Sequence, residues 1–275
     1  MSNVDLKTIE GFSAQWMSFD QASVPSGELR KRFEEFFELF PWKQLPNNAV
    51  GFDLGCGTGR WAKFVAPRVS KLHLIDASDA IVGVAKNTLR GMSNCEFHVA
   101  SVDRMPIEDG GMDFGYALGV FHYLPDPVAA LKSCVAKLKP NAPFLLYVYY
   151  ALDNRPAWYR TIWRLSDAVR KAVAQLPYWA KYVISTGIAL LVYWPLARLS
   201  AALARLGANV EAVPLSFYRD KSLYAMRTDS LDRFGNHLEH RFTAKEVEQM
   251  MTEAGLERIE VSRHVYWCAV GYKRA

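Results

Sequence analysis

The sequence predicts an α/β protein built on a parallel sheet covered on both faces. Short apolar runs alternate with helical stretches through the first half of the chain. Residues 49–54, 72–76, 96–99, 112–118 and 144–150 read as strands, with helices at 60–66, 80–89 and 127–138 between them. Strands joined by crossover helices lie parallel and are buried on both faces, so they are apolar almost throughout. The second observation is composition: 51% of the 275 residues are hydrophobic, enough for a sizeable core and too many for a disordered chain.

Taken in order, Phe12, Trp16, Met17 and Phe19 form an aromatic cluster ahead of the first long helix. That helix is predicted over 28–40, where Leu29, Phe33, Phe36, Phe37 and Phe40 recur at helical spacing and Pro41 ends the pattern. Residues 1–47 are therefore a helical cap segment, expected to cover the site, and 48–150 the core. After Tyr150 the pattern changes. Residues 156–206 read as helical, interrupted by Pro177 and Pro195, and 207–240 as irregular and polar, so that 151–242 is an insertion. Thr243 opens another helix, with Glu246 three residues later in a capping box and Gly255 as its C-cap. Two strand-like runs, 256–263 and 265–272, follow, and 243–275 completes the core. No repeat or low-complexity stretch is present.

Charge and cysteine usage exclude several classes. The net charge is only +5 and no basic arm stands out at either end, which argues against a nucleic-acid partner. Cys56, Cys95, Cys134 and Cys268 are far apart and never form C-x-x-C, so neither a metal site nor a disulfide framework is expected, and a reducing cytoplasm is. The first 20 residues carry acids and no long apolar run, so no secretory signal is expected. Residues 155–205 differ from their surroundings, with eight basic residues, one acid (Asp167) and the tryptophans Trp158, Trp163, Trp179 and Trp194. Within them, 182–197 are 16 uncharged positions, fewer than the roughly 20 a spanning helix needs. The segment reads as a helical lid closing over a substrate. The alternative is an interfacial element, with aromatic rings at headgroup depth and basic residues on anionic lipid.

The sharpest local signal is VGFDLGCGTGRWAKF, residues 50–64. A strand ends in Asp53, glycines follow at 55, 57 and 59, and a helix starts near Arg60. Glycines let the backbone turn tightly and approach a ligand closely. The dinucleotide fingerprint requires G-x-G-x-x-G, but Arg60 stands where its last glycine would be, which disfavours a nicotinamide cofactor. Asp76 ends the second strand, placed to accept hydrogen bonds from two ribose hydroxyls, so the ligand is expected to be a nucleoside.

With DLGCGTGR (53–60), LHLIDAS (72–78), SVDRMPIEDGGMDF (101–114), GVFHYLPDP (119–127) and LKPNAPFLLYVY (138–149), the chain resembles the class I S-adenosylmethionine-dependent methyltransferases. The resemblance is close over 48–150 and looser over 243–273. It implies a Rossmann-like, doubly wound, seven-stranded sheet whose last strand is antiparallel, with a helical lid insertion between strands five and six. It also implies S-adenosyl-L-methionine as cofactor. Asp53, Gly55, Cys56, Gly57 and Gly59 would wrap its methionine part and Asp76 its ribose, with Ala77 next in chain. Ser101 and Val102 would lie beside the adenine. Many relatives carry Asp where Ser101 stands, and Asp103 is the substitute acceptor. Leu118 and Gly119 would line the sulfonium.

For the chemistry, His122 follows the fourth strand at the carboxyl edge, and its ordinary pKa, about 6.5, suits a general base. The polar stretch 216–242 supplies further candidates: Tyr218 and His237 for catalysis, and Arg227, Asp229 and Arg233 for binding a polar or anionic substrate. This stretch resembles a subgroup of bacterial methyltransferases through M-R-T-D (226–229) and D-R-F-G (232–235). After the fourth strand the chain reads A-L-G-V-F-H rather than the N-P-P-Y or D-P-P-Y that marks base or glutamine nitrogen methylation in the family. A small-molecule acceptor, methylated on oxygen, is the expectation. Two alternatives stay open: a membrane-peripheral enzyme acting on a lipid, quinone or lipid-linked saccharide, and a cofactor-binding protein without catalysis.

Overall fold

A computed structural model describes residues 3, 5–18, 26–153, 155–210, 213–262 and 267–275. Phe19 lies outside them, as do the side chains of Trp16 and Met17. The chain forms two compact units.

The first unit holds residues 1–20, 29–151 and 238–275. Its seven strands are β1 (Val50–Leu54), β2 (Lys71–Asp76), β3 (Cys95–Val99), β4 (Phe114–Leu118), β5 (Pro143–Val148), β6 (Leu256–Val261) and β7 (Trp267–Lys273), in the order β3-β2-β1-β4-β5-β7-β6. The pairs through β1–β5 are parallel, and β7 runs antiparallel between β5 and β6. This is the expected seven-stranded sheet.

Alternate residues of the central strands enter opposite cores. Phe52, Leu54, Ile75, Ala117, Phe144 and Leu146 pack on one face, with α5 (Pro127–Lys137) and α10 (Ala244–Glu253). Leu72, Leu74, Phe114, Tyr116 and Leu145 pack on the other. That face takes Phe33 and Phe36 of α2 (Ser26–Phe36) together with α3 (Ala62–Val65) and α4 (Asp79–Thr88). The regular part of α2 is shorter than expected, yet Phe37 and Phe40, in the turn after it, are as buried as the helical phenylalanines. The capping box of α10 forms as expected: Glu246 N–H donates to Thr243 Oγ1 and Thr243 N–H to Glu246 Oε2.

The second unit comprises 152–237, with the first turn of α2. Its helices are α6 (Ala157–Val173), α7 (Tyr178–Ile188), α8 (Trp194–Arg205) and α9 (Leu223–Gly235). Pro195 does not break the segment: a π-helical turn over Ala189–Tyr193 joins α7 to α8 and absorbs the lost donor. Val173, Ala189, Tyr193, Ala197, Met226 and Phe234 form the core of this unit.

Two expectations are corrected here. The stretch read as irregular contains the regular helix α9, with the M-R-T-D and D-R-F-G runs inside it. Residues 238–242 belong to the first unit rather than the insertion, because Phe242 pairs with Tyr150 beyond the end of β5 and Ala151 N–H donates to Phe242 O at 2.7 Å.

Candidate functional site

The sheet order reverses between β1 and β4, so the crevice at their carboxyl ends is where an open α/β sheet binds ligands. Asp53, near the end of β1, is paired in register with Leu74 and Tyr116. Its carboxyl is 2% exposed, and burial pushes its pKa from the ordinary value up to about 8. Tyr116 and, more weakly, Arg60 pull the value down, while Asp76 adds to the rise. Among the described residues, neither Asp53 Oδ2 nor the Tyr116 hydroxyl completes a hydrogen bond of good geometry. A buried carboxyl with so weak a donor is costly to ionise, and it suits a cationic ligand group.

The loop after β1 is held from below and open above. Gly55 and Cys56 N–H both donate to Ile75 O. Asp76 holds the loop from the side: Gly57 N–H donates to its Oδ2 at 3.2 Å and Ser78 N–H to its Oδ1 at 3.0 Å. Burial raises the Asp76 pKa against these backbone donors.

Gly55 and Gly57 are both left-handed, with φ of +68° and +53°. A Cβ on Gly55 would lie 2.3 Å from Val120 Cγ2, whereas one on Gly57 would meet nothing within 4 Å. Packing therefore requires the first glycine, and the open space over the second is where a ligand can approach the backbone. Gly57→Ala is expected to cost about 1 kcal/mol of stability, the left-handed penalty for an L-residue. It should lower cofactor affinity much more, by about tenfold or beyond. Chemical denaturation and calorimetric titration check the two separately, and equal losses in both would sink the assignment.

The remaining groove residues follow the other strands. Ser101 is half-buried, Val102 packs its side chain into the core, and Asp103 stands exposed in the turn after β3. A ligand beside Val102 would therefore meet its backbone rather than its side chain. Ala77 is exposed after β2, Leu118 is buried at the end of β4, and Gly119 has φ +83° with open space at its Cβ position. Cys56 packs in the core, and its thiol pKa is pushed well up by burial and then by Asp76 and Asp53, so it is not a nucleophile.

The N-terminal helix α1 (Leu6–Ser18) spans this edge. Just before it, Asn3 exchanges two hydrogen bonds with the backbone of Asp126, the N-cap of α5. On α1 itself, Phe12 packs edge-on to Tyr123 at 4.8 Å, and Ser13 Oγ bonds Ser78 Oγ at 2.7 Å. Asn3, Phe12 and Ser13 thus fasten this segment to the edge.

Beyond β4 and β5 lies a second constellation. His122 is completely buried and stacks on Tyr149 with ring centroids 3.9 Å apart. The Tyr123 and Tyr149 hydroxyls are 3.3 Å apart. Arg241 lies 5.1 Å over the Tyr149 ring, pairs with Glu239 at 2.8 Å and donates to Tyr150 O. His240 N–H donates to His122 O, which fixes the strand-like run 239–242 against this edge.

Known proteins share this fold and part of this sequence. The sequence profile of the methyltransferase domain matches residues 52–141. The chain carries a class I S-adenosylmethionine-dependent methyltransferase domain. It is 25% identical over 158 residues to a ubiquinone biosynthesis O-methyltransferase of Xanthomonas axonopodis, matching 57% of this chain and 65% of that protein. It is 30% identical over 133 residues to a sterol 4-C-methyltransferase of Caenorhabditis elegans, matching 46% of this chain and 40% of that one. The chain thus spans less than two thirds of either relative. An S-adenosylmethionine-dependent methyltransferase of Mesorhizobium loti has the same fold, with a TM-score of 0.53 at 14% identity over 89% of this chain and all of that one.

Within the methyltransferase domain, the candidate base His122 is a buried ring. Burial first, then the charges of Arg241 and His240, push its pKa well below the ordinary value, so the ring is neutral and a weak base near pH 7. Among the described residues, neither ring nitrogen has a hydrogen-bond partner. The other candidates lie in the second unit, and its helices account for several. Arg227 donates to the Tyr182 hydroxyl at 2.7 Å, and Arg233 donates to Ser166 and sits over Trp163. His237 Nε2 lies 3.5 Å from Lys181 Nζ, and the Tyr218 ring packs on Tyr193. Asp229 belongs to the same helix, α9, as Arg227 and Arg233. Arg227, Arg233 and His237 thus tie α9 and the residues after it to α6 and α7 rather than forming an open polar loop.

Tyr123, Tyr149 and Arg241 were absent from the sequence-based set. Their only advance signal was position: two tyrosines just past strand ends and an arginine beside the polar run.

Proposed function

We propose that the protein transfers a methyl group from S-adenosylmethionine to a hydroxyl oxygen of a small organic acceptor. The observation that carries the cofactor half is the buried Asp53 carboxyl, with no well-formed hydrogen bond to its Oδ2 among the described residues, beside the open backbone at Gly57. When bound, the cofactor supplies an electrophilic methyl on a sulfonium. Asp53 would balance its positive charge, and Asp76 would accept from its ribose hydroxyls.

The acceptor half rests on the second constellation. Stacked His122 and Tyr149 offer an aromatic wall, and the Tyr123 and Tyr149 hydroxyls can exchange hydrogen bonds with an acceptor oxygen, while Arg241, paired with Glu239, lies over the Tyr149 ring. An acidic hydroxyl, such as a phenol or enol, needs little further base. The relative named an O-methyltransferase of ubiquinone biosynthesis favours oxygen as well.

The test is an acceptor screen of phenols, enols and hydroxyquinones with isotopically labelled methyl cofactor, read by mass spectrometry. A labelled methyl ether is the expected product. Label on carbon or nitrogen overturns the oxygen assignment. Cofactor binding without transfer to any acceptor favours the non-catalytic alternative.

A further inference from the structure

Among the described residues, fourteen of the sixteen large exposed apolar side chains lie between Trp158 and Leu206, all in the second unit. Soluble surfaces scatter such residues singly, and concentration on one unit marks an interaction surface. On α6, Trp158, Ile162, Leu165 and Val169 make one exposed stripe at helical spacing. Arg160, Arg164 and Lys171 are exposed on the far side of the same helix. On the continuous helix Tyr178–Arg205, Trp179 and Leu191 are 71% and 79% exposed, and Trp194 is 46% exposed.

We infer that the second unit docks peripherally on a membrane containing anionic lipid, with its apolar side chains at the headgroup–acyl boundary. This inference does not depend on which atom the enzyme methylates. Charge complementarity selects the occupant. Of the eight basic residues in 155–205, Arg160, Arg164, Lys171, Arg198 and Arg205 are exposed, and the segment's one acid, Asp167, is half-buried and paired with Arg170; this surface attracts anionic headgroups and repels a second copy of itself. Exposed tryptophans and an amphipathic basic helix are what an interfacial element requires.

The helix Tyr178–Arg205 is 28 residues long and apolar enough by length and composition to cross a bilayer. Its packing opposes that role. Ser185 O accepts from Ser230 Oγ of α9 at 2.8 Å and Tyr182 accepts from Arg227, and α9 also carries Asp229, Asp232 and Arg233. Taking those charges into hydrocarbon with the helix would be costly. Lying in the interface keeps α9 on the wet side.

The test uses the full chain and sedimentation with vesicles of phosphatidylcholine alone or mixed with phosphatidylglycerol. Binding is expected to the mixed vesicles, falling several-fold at high salt, with bound tryptophan fluorescence quenched by brominated lipid. Leu165→Asp and Leu191→Asp together should lower partitioning by about tenfold or more, with helix content and melting temperature retained. Failure to bind anionic vesicles at low salt overturns the inference, as does absence of quenching in the unaltered protein. Resistance to extraction by salt and alkali overturns it in favour of a spanning helix. A soluble dimer dissolved by the same substitutions overturns it in favour of self-association.

Discussion

Asp76→Ala is expected to lower affinity for S-adenosylhomocysteine on the order of a hundredfold or more. Hydrogen bonds to a charged acceptor contribute about 1.5–3 kcal/mol each, and two ribose hydroxyls would lose theirs. The substitution also frees Gly57 N–H and Ser78 N–H, the two donors that tie the glycine loop to the end of β2. The loop then loses its preset shape as well as the ligand contact. Asp76→Asn keeps one acceptor oxygen, and a loss nearer tenfold is expected for it. Stability should change much less than affinity in both variants, because the carboxylate now sits buried at a cost that raises its pKa. Calorimetric titration beside a melting curve separates the two effects. Unchanged affinity in Asp76→Ala would refute the ribose assignment.

The groove was legible because its signals are local. Asp53, the three glycines and Asp76 lie within two strand–loop units, and the strand–loop–helix order alone places them on one edge. The sheet was legible for the same reason, down to strand ends within two residues, since strands buried on both faces are apolar runs with clear borders. The acceptor side was not. Tyr123 and Tyr149 meet only because β4 and β5 are neighbours, and Arg241 joins them only because Phe242 pairs with Tyr150 across some ninety residues of intervening chain.

The helix α9 was misread for a different reason. Its sequence is polar, and polarity without an apolar stripe usually means loop. Here the polar groups are satisfied internally. Arg170 and Lys181 donate to the carbonyls of Asn236 and Gly235 at the end of α9, where the helix dipole favours cations. Those two residues belong to the basic segment 155–205, so a count of its charges overestimates how much of it faces solvent.

Asp53→Asn is expected to make the cofactor-free protein more stable and the cofactor-bound state weaker, with both differences set by pH. The folded pKa of Asp53 is about 8 against an ordinary 3.8. Below the ordinary value the group is protonated in both folded and unfolded chains and costs nothing. As pH rises toward 8, the unfolded chain releases a proton that the folded chain retains, so folding stability falls. Above about 8 the penalty is complete. Asparagine never ionises, so the variant should melt at a higher temperature than the unaltered protein, with the gap opening from pH 4 to pH 8. His122 has the opposite sign: its depressed pKa removes stability as pH falls below the ordinary histidine value. It acts alike in both proteins and cancels in the difference. Binding reverses the order. A cationic ligand beside Asp53 favours the ionised carboxyl, so below pH 8 the unaltered protein must release a proton on binding. Its affinity for S-adenosylmethionine should then rise by up to about tenfold per pH unit and level off above 8. Titration in buffers of different ionisation enthalpy counts that proton directly. In Asp53→Asn no proton is released, the pH dependence is flat and the affinity is low throughout. If the variant bound as tightly as the unaltered protein at pH 8, the buried carboxyl would be structural, and the charge-balancing role assigned to Asp53 would fall with it.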